Sequence, residues 1–203
     1  MKQINSLTGM ADLIEDKSKP DELAIKVFHT EETLKKIFKS FAMSEIRTPA
    51  LESTNLFKRS VGDTSDIVNK ELYTFSDKND KSITLRPEGT ASVIRSIVEK
   101  KLDGETHKLW YMGPMWRYER PQKGRFRQFY QAGVEILGYP EGASEFEIIS
   151  LVCELNRKLL IKKPLIKINH LGNSETKKLF CDALVEYLTP IKSDLDEKDI
   201  QRL

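Results

Sequence analysis

Apolar positions recur at helical spacing along much of the chain. Leu23, Val27, Leu34, Ile37, Phe38 and Phe41 predict a long amphipathic helix over residues 22–41. The stretch before it, Glu15 to Glu22 around Pro20, suits a loop closing on a first helical turn, where carboxylates meet unpaired N–H groups. Ile94, Ile97, Val98 and Leu102 predict a second helix with Thr90 as its cap. Ile148, Val152, Leu155 and Leu159, spaced 4, 3 and 4, predict a third over 144–160. A further helix is expected over Ser174–Leu188 with Ser174 as N-cap, and Lys198 to Leu203 read as helix without a Gly or Pro stop.

Between these helices the pattern reads as strand. Glu45-Ile46-Arg47-Thr48-Pro49 predicts a short strand ending at a proline that cannot donate to a ladder. Leu72–Phe75 and Ser82–Leu85 flank the turn-rich Asp77–Lys81, which predicts a hairpin. Residues 108–118 and 126–139 are two long strand-like runs around a polar basic loop, and Leu165–Asn169 reads as a further strand. Strands joined mostly by hairpins, with helices around them, predict an α+β fold with an antiparallel sheet flanked by helices. There is no repeat and no linker to a second domain.

Composition narrows the class. A chain of 203 residues with 39% apolar and 32% charged residues is a soluble globular domain. At that length it buries roughly 70% of its unfolded surface, so no disulfide staple is required. No apolar run approaches 18 residues and the start lacks an apolar signal core, so a membrane partner is not expected and a cytoplasmic location is. Cys153 and Cys181, in apolar periodic stretches, are expected to be reduced thiols in or near the core. His29, His107, His170 and the cysteines have no metal-ligand spacing, so no metal site made by protein side chains is identified. Lys+Arg of 33 against Asp+Glu of 31 excludes a polybasic binder overall and leaves room for a local patch.

That patch lies within Met115 to Glu135. Strand alternation puts Arg117 and Glu119 on one face of the first run, and Phe129, Gln131, Gly133 and Glu135 on one face of the second. The opposite positions, Tyr130, Ala132, Val134 and Ile136, suit a core. A ring, an amide, a gap and a carboxylate thus follow one another, with Gly133 leaving space on the sheet. Between the runs, residues 115–127 carry Arg117, Arg120, Lys123, Arg125 and Arg127 against Glu119, a local charge of +4, and Gly124 lets the loop bend. Guanidinium forks match phosphate oxygens, a contact of roughly 1.5–3 kcal/mol; a solvated basic hairpin is the plainer reading. In Leu85-Arg86-Pro87-Glu88-Gly89-Thr90-Ala91 a strand ends and a helix opens; Glu88 and Thr90 either accept from an ammonium group or simply cap the helix.

These words resemble the N-terminal catalytic portion of bacterial histidyl-tRNA synthetases, class II aminoacyl-tRNA synthetases, over essentially the whole chain. Met43 to Glu52 looks like motif 1 (about 43–52), and the region about 108–136 looks like motif 2 with its Arg-x-Glu signature at Arg117 and Glu119. Thr84 to Thr90 and Glu119 to Arg125 match in long unbroken words. The resemblance implies histidine activation with ATP and Mg²⁺, transfer to tRNA(His), and a homodimer through motif 1. By resemblance, Arg117 is the catalytic arginine bridging substrate carboxylate and α-phosphate. Glu119, Arg125 and Phe129 then meet the adenine side, the terminal phosphates and the adenine ring. Glu88, Gly89, Thr90, Arg117, Gln131 and Glu135 surround the histidine, and Arg120 and Gln122 face the tRNA acceptor end. Ala42, Trp116 and Tyr130 depart from common family residues and read as packing changes.

The resemblance further implies that residues 1–203 are a partial class II catalytic domain, without motif 3 or the anticodon-binding domain, and of little or no activity alone. The alternative is a non-aminoacylating regulatory paralogue, the histidine-sensing subunit of ATP phosphoribosyltransferase. It is disfavoured because Arg117, Glu119, the basic loop and Phe129 are all retained.

Overall fold

The structure, a computed structural model, describes residues 4–16, 18–62, 65, 67–120, 122, 124–140, 142–161, 164–169 and 172–200. The chain divides into two units, Met1–Lys162 and Lys163–Leu203.

The first unit opens with helix α1, Glu22–Ser40. Its start is fixed by Asp21, whose carboxylate accepts from Leu23 N at 2.8 Å and Ala24 N at 3.3 Å. The chain leaves the helix through Ala42 at φ +54°, and Met43 N closes back on Phe38 O at 3.0 Å. That left-handed turn favours glycine. Ala42 is therefore a conformational departure and not the packing change its residue type suggests.

Strand β1, Ser44–Glu45, runs parallel to β5, His107–Trp116, and β5 pairs antiparallel with β6, Gln128–Leu137, in register from His107↔Leu137 to Trp116↔Gln128. The expected strand through Pro49 reduces to these two residues, because the chain then turns to form β2, Leu51–Ser53. A second sheet has the order β2–β4–β3, with β3 at Thr74–Ser76 and β4 at Ser82–Leu85 as the expected hairpin. Helix α2, Thr54–Val61, follows β2, and α3, Thr90–Glu99, follows β4. Buried Thr54 and Thr84 hydroxyls meet at 2.8 Å and extend to Ser82 and Thr74, so this small sheet is tied through side chains as well as backbone.

Alternation divides the long hairpin between two cores. Even positions face α1 and α4, Ala143–Lys158: Trp110 stacks on Phe38 at 5.1 Å amid Leu34, Ile37, Met43 and Leu151, with Val134 and Ile136 alongside. Odd positions face the α3 side: Tyr111 and Met115 pack with Val93, Leu109 and Phe129. Two features differ from the expected pattern. Tyr130 and Ala132 are exposed, since the α1 and α4 core covers only the far half of β6. On α4 it is Leu151 that is buried, while Val152 is 37% exposed.

Helix α3 buries Ala91, Ser92, Val93, Ser96 and Ile97, and leaves Ile94 and Val98 at the surface. Small residues let the helix approach closely, so the buried stripe is not the most apolar one. Cys153 is exposed, and so is Cys181 in the second unit; both are free thiols outside any core.

The second unit contains α5, Ser174–Leu188, then a 3-10 turn over Thr189–Asp194 and α6, Glu197–Ile200. The α5 cap is Asn173, whose Oδ1 accepts from Thr176 N at 2.8 Å, so Ser174 is the first helical residue. Leu165–Asn169 is not a strand: it has no ladder partner among the described residues, and a strand exists only as one of a pair. Residues 201–203 of the expected terminal helix, and His170, lie outside the described residues.

Candidate functional site

The site lies on the odd face of β5–β6, where that face meets the loop opening α3. Glu88 caps α3: Oε1 accepts from Ala91 N at 2.9 Å and Oε2 from Thr90 N at 2.5 Å. Thr90 is thus the first helical residue and not the cap. Its hydroxyl lies near the Glu135 carboxyl and the Tyr111 phenol and favours the charged form of each.

Tyr111 is the residue that sequence reasoning missed. It pairs across the hairpin with Gly133, and its ring fills the space where a Cβ on either Gly89 or Gly133 would stand. The gap read at Gly133 is therefore occupied by the protein's own phenol and not left for a ligand. Alternation counted back from Arg117 would have placed Tyr111 on this face. No sequence signal showed which glycines it needed.

Electrostatics follow from enclosure. Burial pushes the Glu135 carboxyl above its ordinary value of 4.5; the Thr90 hydroxyl opposes this and the nearby Glu88 charge adds to it. Burial likewise raises the Tyr111 phenol. On the same strand, Gln131 Oε1 is buried and has no hydrogen-bond partner among the described residues. A buried acceptor without a donor costs about 1–3 kcal/mol, so it is complementary to a ligand N–H.

Arg117 and Glu119 sit just past the end of β5. Arg117 Nε donates to the Pro87 carbonyl at 2.9 Å, and its guanidinium lies 5.2 Å from the Phe129 ring centroid. The arginine therefore joins the Glu88–Thr90 corner to the aromatic ring. Glu119 holds Arg125 at 3.1 Å. Arg120 and Gln122 line an exposed depression with Lys70, Glu71, Tyr118, Glu119 and Arg125. Lys123 and Pro121 lie outside the described residues.

Two further residues hold this frame. Arg86 donates to Thr48 O at 2.8 Å, Thr48 Oγ1 at 3.1 Å and Pro114 O at 3.2 Å, riveting the site loop to the turn after β1. Trp116 Nε1 donates to Gln128 Oε1 at 3.1 Å, a bond phenylalanine could not make, so this departure is more than packing. Among the described residues no cluster of three His, Cys, Asp or Glu side chains could hold a metal ion. Nor is any helix long and apolar enough to cross a membrane.

Comparison with known proteins gives a consistent family. The chain is 45% identical to the histidine–tRNA ligase of Francisella philomiragia and 47% identical to that of Neisseria meningitidis serogroup B, covering all of this chain in each case. It covers 47% and 48% of those proteins, so it spans about half the length of its relatives. Among solved structures, the apo histidyl-tRNA synthetase of Staphylococcus aureus aligns with a TM-score of 0.75 at 33% identity, over 97% of this chain and 45% of that one. A Bacillus halodurans protein described as an ATP phosphoribosyltransferase regulatory subunit/histidyl-tRNA synthetase shares the fold, with a TM-score of 0.63 at 21% identity, over 78% of this chain and 39% of that one. Residues 14–202 match the histidyl-tRNA synthetase family, and the chain belongs to that family.

Proposed function

We propose that this chain carries the histidine- and ATP-binding half of a histidine–tRNA ligase. The observation that carries the reading is one continuous face in which a half-buried carboxyl and a buried amide oxygen, unpaired among the described residues, adjoin an arginine set beside an aromatic ring. Glu135 and Gln131 suit a substrate rich in N–H groups. Glu88 and Thr90 suit its ammonium group, with Gly89 allowing the close approach of Tyr111.

In the proposed reaction a histidine carboxylate oxygen attacks the α-phosphorus of ATP. The bond to the β-phosphate oxygen breaks, and pyrophosphate leaves with the electron pair. A terminal ribose hydroxyl of tRNA(His) then attacks the acyl carbon, its proton passes to the departing phosphate, and AMP leaves. The carboxylate is already ionised at neutral pH, so no strong general base is required. The barrier is the meeting of two anions, and Arg117 supplies fixed positive charge between them. Arg125 takes the terminal phosphates, Glu119 the adenine side and Phe129 the ring face. Arg120 and Gln122 receive the acceptor end. Mg²⁺ carried by the ATP phosphates would supply further positive charge there.

Dimerisation through residues 43–52, a partial catalytic domain over 1–203, and little or no aminoacylation by these residues alone belong to the same proposal. The regulatory reading is disfavoured by retention of Arg117, Glu119, Arg125 and Phe129 together. Arg117→Ala, in a chain of the relatives' full length, is expected to abolish histidine-dependent pyrophosphate exchange. Near-normal exchange would remove Arg117 from the mechanism.

A further inference from the structure

We propose that the segment Leu7–Met10 is a strap that fixes the mouth of the nucleotide site, with Gly9 as a positioning residue; this rests on the reading of Arg117, Glu119, Arg125 and Phe129 given above. Met10 N closes a turn on Leu7 O at 3.0 Å. At its apex the Gly9 carbonyl accepts from two successive amides, Arg127 N at 2.8 Å and Gln128 N at 3.1 Å. These are the last loop residue and the first residue of β6. Gly9 has φ +80°, and a Cβ there would stand 3.0 Å from Arg127 Cγ and 3.1 Å from Arg127 N. Only glycine meets both demands without strain.

Arg127 passes the constraint on. Its carbonyl accepts from Arg117 N at 3.0 Å, its Nε donates to Glu119 O at 3.3 Å, and its guanidinium lies 4.1 Å over the Tyr118 ring. Gly9, Arg127 and Arg117 therefore form a short backbone ladder beyond the ends of β5 and β6. The residues that continue the strap, Ala11 and Leu13, line an apolar groove with Phe126 and Phe129. The loop's own Glu119–Arg125 pair is weak, because the Arg125 side chain is 61% exposed. The strap thus supplies backbone order to the nucleotide half of the site, and it leaves Glu88, Thr90 and Glu135 untouched.

The test, in a chain of the relatives' full length, is calorimetric titration of the wild type, Gly9→Ala, Gly9→Val and Arg117→Ala with ATP and, separately, with histidine, alongside thermal unfolding. Gly9→Val is expected to weaken ATP about tenfold and Gly9→Ala less, with histidine, which meets the ladder only through Arg117, weakened less than ATP. The unfolding midpoint should fall by no more than a few degrees, from strain at residue 9, and amide exchange should quicken at Arg127 and Gln128. Wild-type ATP affinity in Gly9→Val overturns the proposal. So does an equal loss of both ligands, which is the signature of a merely structural role. If the wild-type chain binds no ATP, or Arg117→Ala binds it fully, the functional reading itself fails and takes the strap's role with it. Wild-type amides at Arg127 and Gln128 that exchange freely would refute the strap whatever the ligand data.

Discussion

The Glu135 carboxyl shares a strand face with Gln131 and meets the Thr90 hydroxyl, in a place where burial disfavours its charge. Its folded pKa lies above the ordinary 4.5, so the folded chain holds this proton more tightly than the unfolded chain does. Stability from that proton is full below 4.5 and is lost as pH rises through the folded value. Glu135→Gln is therefore expected to raise the thermal midpoint at neutral pH and to flatten this part of the pH profile. Histidine binding should be lost in the same variant. Denaturation scans above and below the carboxyl range check the first claim, and an unchanged profile would refute it. The residue types at Glu88, Thr90, Gln131 and Glu135 were legible because motif words and strand alternation carry them. Their division of labour was not. A cap is decided by which side chain reaches two N–H groups, and Glu88 outcompetes Thr90 by length.

Among elements, α3 and the β5–β6 hairpin are locked by one ring. Tyr111 comes from β5, lies across from Gly133 of β6, and touches Gly89 and Thr90 at the start of α3. Gly133→Ala is expected to push that ring aside, destabilise the chain by roughly 1–3 kcal/mol and weaken histidine binding. A double-mutant cycle with Tyr111→Leu should be strongly non-additive; additive costs would show that the ring is not the obstacle. The sequence pattern located α1, the β3–β4 hairpin, both long strands and α4 and α5 closely, since each has a clear period. It misassigned the buried side of α3 because close packing selects Ala91, Ser92 and Ser96, which hydropathy ranks low. It overread Leu165–Asn169 because an apolar run specifies a strand only where a neighbour offers hydrogen bonds. Tyr130 and Ala132 follow the same logic: alternation gives the face, and the covering helices decide how far along it burial extends.

At the scale of the whole molecule, the second unit leaves Leu179, Phe180 and Tyr187 of α5 64%, 66% and 73% exposed. Such a face drives association in water. Sedimentation velocity is expected to show concentration-dependent assembly of the chain, reduced by Phe180→Ser with Leu184→Ser. A monomer at all concentrations would contradict this. Family membership was legible from the long words around Arg86–Thr90 and Glu119–Arg125. The strap at Gly9 was not, because nothing in a glycine between Thr8 and Met10 names the distant amides it serves. The two tryptophans also divide the molecule for spectroscopy. Trp110 is buried against Phe38, whereas Trp116 is bonded to Gln128, whose amide the strap holds. One indole therefore reports the melting of the core and the other the seating of the N-terminal segment. Trp116→Phe leaves a chain whose emission follows unfolding alone, and the difference spectrum isolates the strap.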